Sequence, residues 1–242
     1  MKRLFLIVSL GLVASVHAQK QQDFYYKTFR DFESRSSQEL GLGNVMESSR
    51  VAHQKGAKVK ERFKFAALVV NAFDKKSISE SRYKYFAKEA TSLLKVEELG
   101  VSPAYCYVVA RLGLIHLGMT KFQLEAAKRF YESARTPVSA NVYARVLSFD
   151  ASLANRAKAL DYALEAQAKQ PDSVKLRWLV GGAYFAKADL TKGRQYWQSS
   201  IKEYEKALEI AKSGKDKDFT KEDLEMIKHY LSYAQRELAK FK

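Results

Sequence analysis

Cysteine, proline and glycine are scarce in this chain of 242 residues, which contains 1 Cys, 3 Pro and 11 Gly. The single cysteine, Cys106, excludes an intrachain disulfide, so the fold must be held together by its core. So few turn-forming residues argue against an all-β sandwich or barrel, which needs many turns. With 47% hydrophobic residues, the chain is also too hydrophobic for intrinsic disorder. The composition therefore predicts a folded, all-α protein.

Sequence motifs of catalysis are missing as well. The chain has no His-Glu-x-x-His, no Cys-x-x-Cys, no Gly-rich phosphate loop and no Gly-x-Ser-x-Gly elbow. His53 and His229 stand alone, and His116 is interpreted as a packed ring. We interpret Cys106 as a small buried residue, because free cysteines are among the most buried residues. No enzymatic activity, cofactor or metal is expected, although an enzyme of unfamiliar type stays open.

The N-terminus has the pattern of a secretory signal peptide. The basic Met1-Lys2-Arg3 precedes an apolar run from Leu4 to Val16, and small residues follow up to Ala18. This run is shorter than the roughly 20 residues that span a bilayer. We therefore expect cleavage near Ala18, a periplasmic or secreted mature protein, and no integral membrane segment after cleavage. An exported protein is not expected to bind nucleic acid.

Helix after helix is predicted between Ser102 and Lys187, where apolar residues return at intervals of three and four. Ser102-Pro103 has the pattern of an N-cap followed by the first helical residue, and another helix is predicted after Thr136-Pro137. Further helices are predicted to begin after Thr120 and at Asn155. The pair after Pro171 is predicted to run from Val174 to Ala186 and from Leu190 to about Lys212. Upstream, a less regular pair is expected over 57–72 and 79–99, and Thr220 is expected to cap a last helix.

The prolines set a repeat period, because Pro103, Pro137 and Pro171 follow one another at intervals of 34 residues. If each proline is position 32 of a unit, the units cover 106–139, 140–173 and 174–207. The same two unit positions then hold Leu112-Gly113, Val146-Leu147 and Val180-Gly181, and other small, aromatic and proline positions are filled by Ala159, Ala166, Pro171, Trp178, Tyr184 and Trp197. In these features the chain resembles the tetratricopeptide repeat family.

The resemblance implies a right-handed superhelical solenoid of antiparallel helix pairs with a C-terminal capping helix. The chain would then consist of a signal peptide (1–18), an N-terminal helical segment (19–56), a degenerate helix pair (57–101), the repeats (102–212), and a linker with the capping helix (213–242).

The resemblance also implies a function, which is that of a scaffold or adaptor binding a peptide or partner protein in a concave groove. Lys, Arg and Asn at groove positions resemble the family's carboxylate clamp, so an acidic partner is expected. The complete clamp pattern is absent, and the alternative that these are ordinary exposed polar residues stays open. The groove positions carried over from the family are Tyr107, Arg111, Asn141, Arg145, Ser148, Lys175, Trp178 and Leu179.

The net charge of +15 favours acidic partners in general, and it is dispersed along the chain. Its densest cluster is Lys55, Lys58, Lys60, Arg62 and Lys64. This cluster is interpreted either as a site for an anionic surface or as a solvated helix face. A second functional hypothesis follows, in which a helical envelope protein binds an anionic polymer or membrane surface without a defined groove.

Overall fold

The structure is a computed structural model and describes residues 24–100 and 102–241. The predicted signal peptide, residues 1–18, lies outside these residues. Every regular element in the described ranges is helical, and consecutive helices pack against each other in pairs. The all-α prediction is thereby confirmed. The helices form two compact units that divide between Ser133 and Ala134.

The N-terminal unit is built around α3, which packs against α2, α4 and α5. α3 and α4 correspond to the irregular pair predicted over 57–99, except that α4 ends earlier and a short 3-10 helix follows it. The elements are α1 (24–34), α2 (Leu42–Ala52), α3 (Val59–Asp74), α4 (Glu80–Leu93), the 3-10 helix (Val96–Gly100), α5 (Pro103–His116) and α6 (Lys121–Ala134).

The C-terminal unit is a run of helices in which each packs against the next, and α9 also contacts α7 and α11. Contacts between a helix and the next but one are what stacked helix pairs require. The elements are α7 (Pro137–Ser148), α8 (Leu153–Gln167), α9 (Val174–Thr191), α10 (Arg194–Ser213) and α11 (Lys221–Ala239).

Several helix starts are fixed by the predicted capping residues. The Ser102 hydroxyl accepts a hydrogen bond from the backbone of α5. Thr136 forms a reciprocal capping box with Ser139 at the start of α7, and Thr220 forms one with Asp223 at the start of α11. Each box satisfies two backbone N–H groups that would otherwise lack a partner at a helix end. These three predicted starts are confirmed.

The 34-residue period holds less well in the third helix pair. Pro103 and Pro137 are the first residues of α5 and α7, whereas Pro171 lies outside α9, which begins at Val174 behind the N-cap Ser173. α9 and α10 are also longer, at 18 and 20 residues, than the 12 and 15 residues of α7 and α8. The helices of this pair therefore differ in length from those of the pair before it.

Three further boundaries differ from the sequence prediction. α9 continues beyond Ala186 to Thr191, because nothing between them breaks a helix, and it stops where Lys192 adopts a left-handed conformation with φ 53°. α10 consequently begins after Gly193 rather than at Leu190. α8 begins two residues before Asn155, since the side chain of Ser152 acts as the N-cap.

Close approach within two helix pairs explains the glycines of the repeat. A Cβ atom on Gly181 of α9 would lie 2.6 Å from a ring carbon of Tyr204 on α10. The Ser200 hydroxyl of α10 donates a hydrogen bond of 2.9 Å to the Gly181 carbonyl across the same contact. A side chain on Gly113 of α5 would likewise collide with Gln123 of α6. Both glycines therefore allow the two helices of a pair to approach closely.

The core of the N-terminal unit is aromatic and includes α1. The ring of Tyr25, which is fully buried, lies 4.7 Å from that of Phe63 and 5.8 Å from that of Tyr105. Directly after α1, the Arg35 carbonyl accepts a hydrogen bond of 2.6 Å from Nζ of Lys75, the residue that follows α3. α1 and the residues after it therefore contact the region of α3 at two places, near its start and just after its end.

Candidate functional site

The residues predicted to line a groove share one property, which is half-burial. They lie on the first helices of the three pairs, and none is fully buried or fully exposed. Arg156 on α8, by comparison, is exposed. The residues are Tyr107 and Arg111 on α5, Asn141, Arg145 and Ser148 on α7, and Lys175, Trp178 and Leu179 on α9.

On α5, both predicted residues already engage other side chains. The Tyr107 ring packs between Phe29 of α1 and Phe130 of α6, at centroid distances of 5.1 and 5.3 Å. The Arg111 guanidinium forms an ion pair with Asp74 at the end of α3. These contacts give Tyr107 and Arg111 a packing role within the N-terminal unit.

On α7, three predicted residues form one polar stripe. Asn141, Arg145 and Ser148 are spaced by four and three residues, so they lie on the same side of the helix. The Ser148 hydroxyl donates a hydrogen bond of 2.8 Å to the Arg145 carbonyl, which fixes the hydroxyl at the end of the stripe. α7 also packs against α9, the first helix of the next pair.

On α9, Lys175 and Trp178 have different surroundings. Trp178 packs beside the core formed by Val174, Tyr204 and Ile227, where its ring has a structural role. Lys175 Nζ lies 3.2 Å from a carboxylate oxygen of Asp218, in the loop between α10 and α11. Of the two, only Lys175 presents a charge that a carboxylate ligand could use.

The loop between α10 and α11 comes back to the start of α9. The sequence predicts a solvated loop over 213–218, and most of its residues are exposed. Asp216, however, accepts a hydrogen bond of 2.7 Å from the Val174 backbone N–H. The sequence does not predict that Asp216 and Asp218 lie next to Val174 and Lys175. Two aspartates near a helix end were the only signal, and sequence cannot show that the loop returns to a helix some 40 residues upstream.

The densest basic cluster divides into two parts. Arg62 is half-buried, donates a hydrogen bond of 2.6 Å to the Ala57 carbonyl and pairs with Glu98 of the 3-10 helix. The remaining members are exposed and form no ion pair with any acidic side chain of the described ranges: Lys55, Lys58, Lys60 and Lys64. The ammonium of Lys60 lies over the Phe24 ring, 4.6 Å from its centroid. The exposed lysines therefore leave a positive surface at the start of α3.

Three titratable groups, Glu98, Tyr105 and Cys106, form hydrogen bonds inside the N-terminal unit. Glu98 accepts hydrogen bonds from both Arg62 and the Tyr105 hydroxyl, and burial together with this carboxylate raises the pKa of Tyr105 far above its ordinary value. The thiol of Cys106 is buried, as predicted, and donates to the Leu99 carbonyl at 3.0 Å; burial raises its pKa to about 11. At neutral pH this thiol is protonated and therefore a poor nucleophile.

His116 is a half-buried ring, as the sequence predicts. Its Nε2 lies 3.3 Å from the Thr91 hydroxyl oxygen. Burial lowers the pKa of His116, and the nearby Lys88 adds to this effect. Across residues 24–100 and 102–241, no three His, Cys, Asp or Glu side chains come together in a way that could hold a metal ion.

None of the helices in the described part of the chain is both long and apolar enough to cross a bilayer. Comparisons of the chain with protein-family models, with curated proteins and with solved structures find no match. The function therefore has to be inferred from the residues of this chain.

Proposed function

We propose that this is an exported, non-enzymatic interaction module that binds an acidic peptide, or an acidic segment of a partner protein, along α7 and α9. The observation that supports the proposal is the half-buried polar stripe of Asn141, Arg145 and Ser148 on α7, a helix that packs against α9, and α9 carries Lys175. Partly desolvated Arg and Lys side chains form charge-assisted hydrogen bonds with carboxylates, which are stronger than bonds between neutral groups.

In this proposal the helix pairs form a right-handed, tetratricopeptide-like solenoid. The close approaches at Gly113 and Gly181 support it, because small residues at these unit positions let the paired helices pack. The last helix also supports it. α11 buries Ile227 and Ala234 but has a polar outer face, lined by Glu225, Lys228, His229, Ser232, Gln235 and Arg236. A polar outer face is what a terminal capping helix needs.

The test is affinity capture of partners from the cognate envelope fraction by the mature chain and two charge-reversal variants. Arg145→Glu should abolish capture, because it places a carboxylate where the acidic ligand binds. Arg156→Glu, on the exposed face of α8, makes the same change in net charge and should capture the partner like the wild type. Thermal unfolding of both variants shows whether Arg145→Glu remains folded. Equal capture by folded Arg145→Glu and wild type would contradict the groove.

The second candidate function is binding of an anionic polymer or membrane surface. It is favoured by the exposed lysines at the start of α3, for which the described chain offers no ion-pair partner. Reversal of Lys60 and Lys64 to Glu should then weaken binding to anionic phospholipid vesicles, while Arg145→Glu should not. The opposite pattern would favour the groove.

A further inference from the structure

The loop between α10 and α11 brings a carboxylate to the lysine that the proposed groove uses. Asp218 Oδ1 lies 3.2 Å from Lys175 Nζ, although the Asp218 side chain is 89% exposed and that of Lys175 only 36%. The carboxylate therefore reaches Lys175 from the solvent side, which is the side from which a peptide ligand would arrive.

Neighbouring contacts hold the loop in this position. One carboxylate oxygen of Asp216 accepts the Val174 backbone N–H at 2.7 Å, and the other accepts the Asp218 backbone N–H at 2.8 Å. Phe219 packs beside the core residues Tyr204 and Ile227. Asp218 is thus fixed between two anchors, one at α9 and one in the core, while its own side chain contributes little to the fold.

We propose that Asp218 is a built-in competitor, an internal carboxylate that binds Lys175 when no ligand is present and that an acidic ligand displaces. The proposal rests on the proposed function of the groove. A solvent-exposed ion pair is weak, so a ligand with several carboxylates can displace it. Because Asp216 and Phe219 keep the loop in place, displacement requires only that the Asp218 side chain turn away. Competition by Asp218 therefore lowers the affinity of the groove for acidic ligands. The groove itself stays open.

The first experiment needs no ligand. The Lys175 amine is labelled by limited reductive methylation, and its extent is measured by peptide mass spectrometry in the wild type, Asp218→Asn and Asp189→Asn. Asp189 is a matched control because it forms an exposed ion pair with Lys192, so its substitution makes the same change in net charge elsewhere in the unit. We expect labelling of Lys175 to rise about two- to fivefold in Asp218→Asn only. Equal labelling in all three proteins would overturn the competitor.

The second experiment measures binding of a fluorescein-labelled peptide of alternating Glu and Ser by fluorescence anisotropy. Asp218→Asn should bind about two- to fivefold more tightly than Asp189→Asn, with a smaller difference at high salt. Lys175→Glu should lose most of the binding. An acidic residue in the first turn of α9 suits the helix dipole, so this variant is expected to fold.

The two variants separate the two hypotheses. If Lys175→Glu loses binding but Asp218→Asn binds like Asp189→Asn, the groove stands and the competitor is overturned. If Lys175→Glu binds like the wild type, the groove proposal fails at this residue and the competitor fails with it. No binding by any variant would contradict both.

Discussion

Gly181 shows how one side chain of minimal size sets the distance between two helices. Alanine favours a helix over glycine by about 1 kcal/mol, yet the added methyl group of Gly181→Ala would overlap the fully buried Tyr204 ring. Overpacking of this kind costs roughly 1–3 kcal/mol. We therefore expect Gly181→Ala to lower the free energy of unfolding by up to about 2 kcal/mol, measured by urea denaturation.

The neighbouring glycine is the control for this prediction. A Cβ on Gly182 would meet only the Tyr204 hydroxyl, at 3.8 Å, which is an ordinary contact. Gly182→Ala should therefore stabilise the protein, by up to about 1 kcal/mol. Similar effects of the two substitutions would show that the contact between Gly181 and Tyr204 does not limit the packing of α9 on α10.

His116 gives the fold a predictable response to acid. Burial lowers its pKa in the folded state below the ordinary value of 6.5, so the unfolded chain takes up the proton more readily. The contribution of neutral His116 to the free energy of unfolding is therefore complete above pH 6.5, and it is lost as the pH falls below 6.5. In His116→Gln, whose amide can still reach Thr91, the free energy of unfolding should decrease less between pH 7 and pH 5 than in the wild type. Identical decreases in both proteins would contradict this prediction.

At the level of elements, Glu203 joins three helices. Its carboxylate on α10 accepts hydrogen bonds from Gln167 of α8 at 2.9 Å and from Arg177 of α9 at 2.8 Å, and the ion pair with Arg177 is largely buried. Glu203→Ala would remove the acceptor of the Gln167 and Arg177 side chains, which would remain partly buried without that hydrogen bond. We expect this to lower the free energy of unfolding by about 1–3 kcal/mol. The exposed Glu205→Ala on the same helix should change it by no more than about 0.5 kcal/mol, in parallel denaturation curves.

The sequence predicts those helices best whose ends carry local signals. The side chains of Ser102, Thr136 and Thr220 form hydrogen bonds with backbone groups only a few residues away. The start of each helix can therefore be predicted from the local sequence. The end of α9 has no side-chain cap, since the residues up to Thr191 continue the helix, and Ala188 in this part of α9 is buried in one cluster with Trp197 of α10. The length of a helix is thus set in part by its neighbours.

In the candidate site, too, local patterns can be predicted from the sequence, whereas long-range contacts cannot. Periodicity is enough to place Asn141, Arg145 and Ser148 on one side of α7. It gives no information on which elements cover a predicted position, as Phe29 of α1 does for Tyr107 and Asp218 does for Lys175. Such contacts join residues far apart in sequence, and only the folded chain brings them together.

At the level of the whole molecule, the net charge of +15 must give some affinity for any polyanion, whatever the specific function. A flexible sulfated polymer responds to the total charge and to exposed clusters, and such binding weakens steeply with salt. A groove ligand depends instead on a few half-buried groups. The two kinds of binding should therefore respond differently to the same substitutions.

We expect retention on dextran sulfate to be equally reduced by Arg145→Glu and Arg156→Glu, since each removes the same charge, and to be lost for all variants in high salt. Joint reversal of Lys55, Lys58, Lys60 and Lys64, which are exposed, should reduce retention much further. Capture of the groove partner should be lost in Arg145→Glu alone. If reversal of the lysines abolished partner capture while Arg145→Glu preserved it, the protein would act through its basic surface at α3, and the groove along α7 and α9 would not be the binding site.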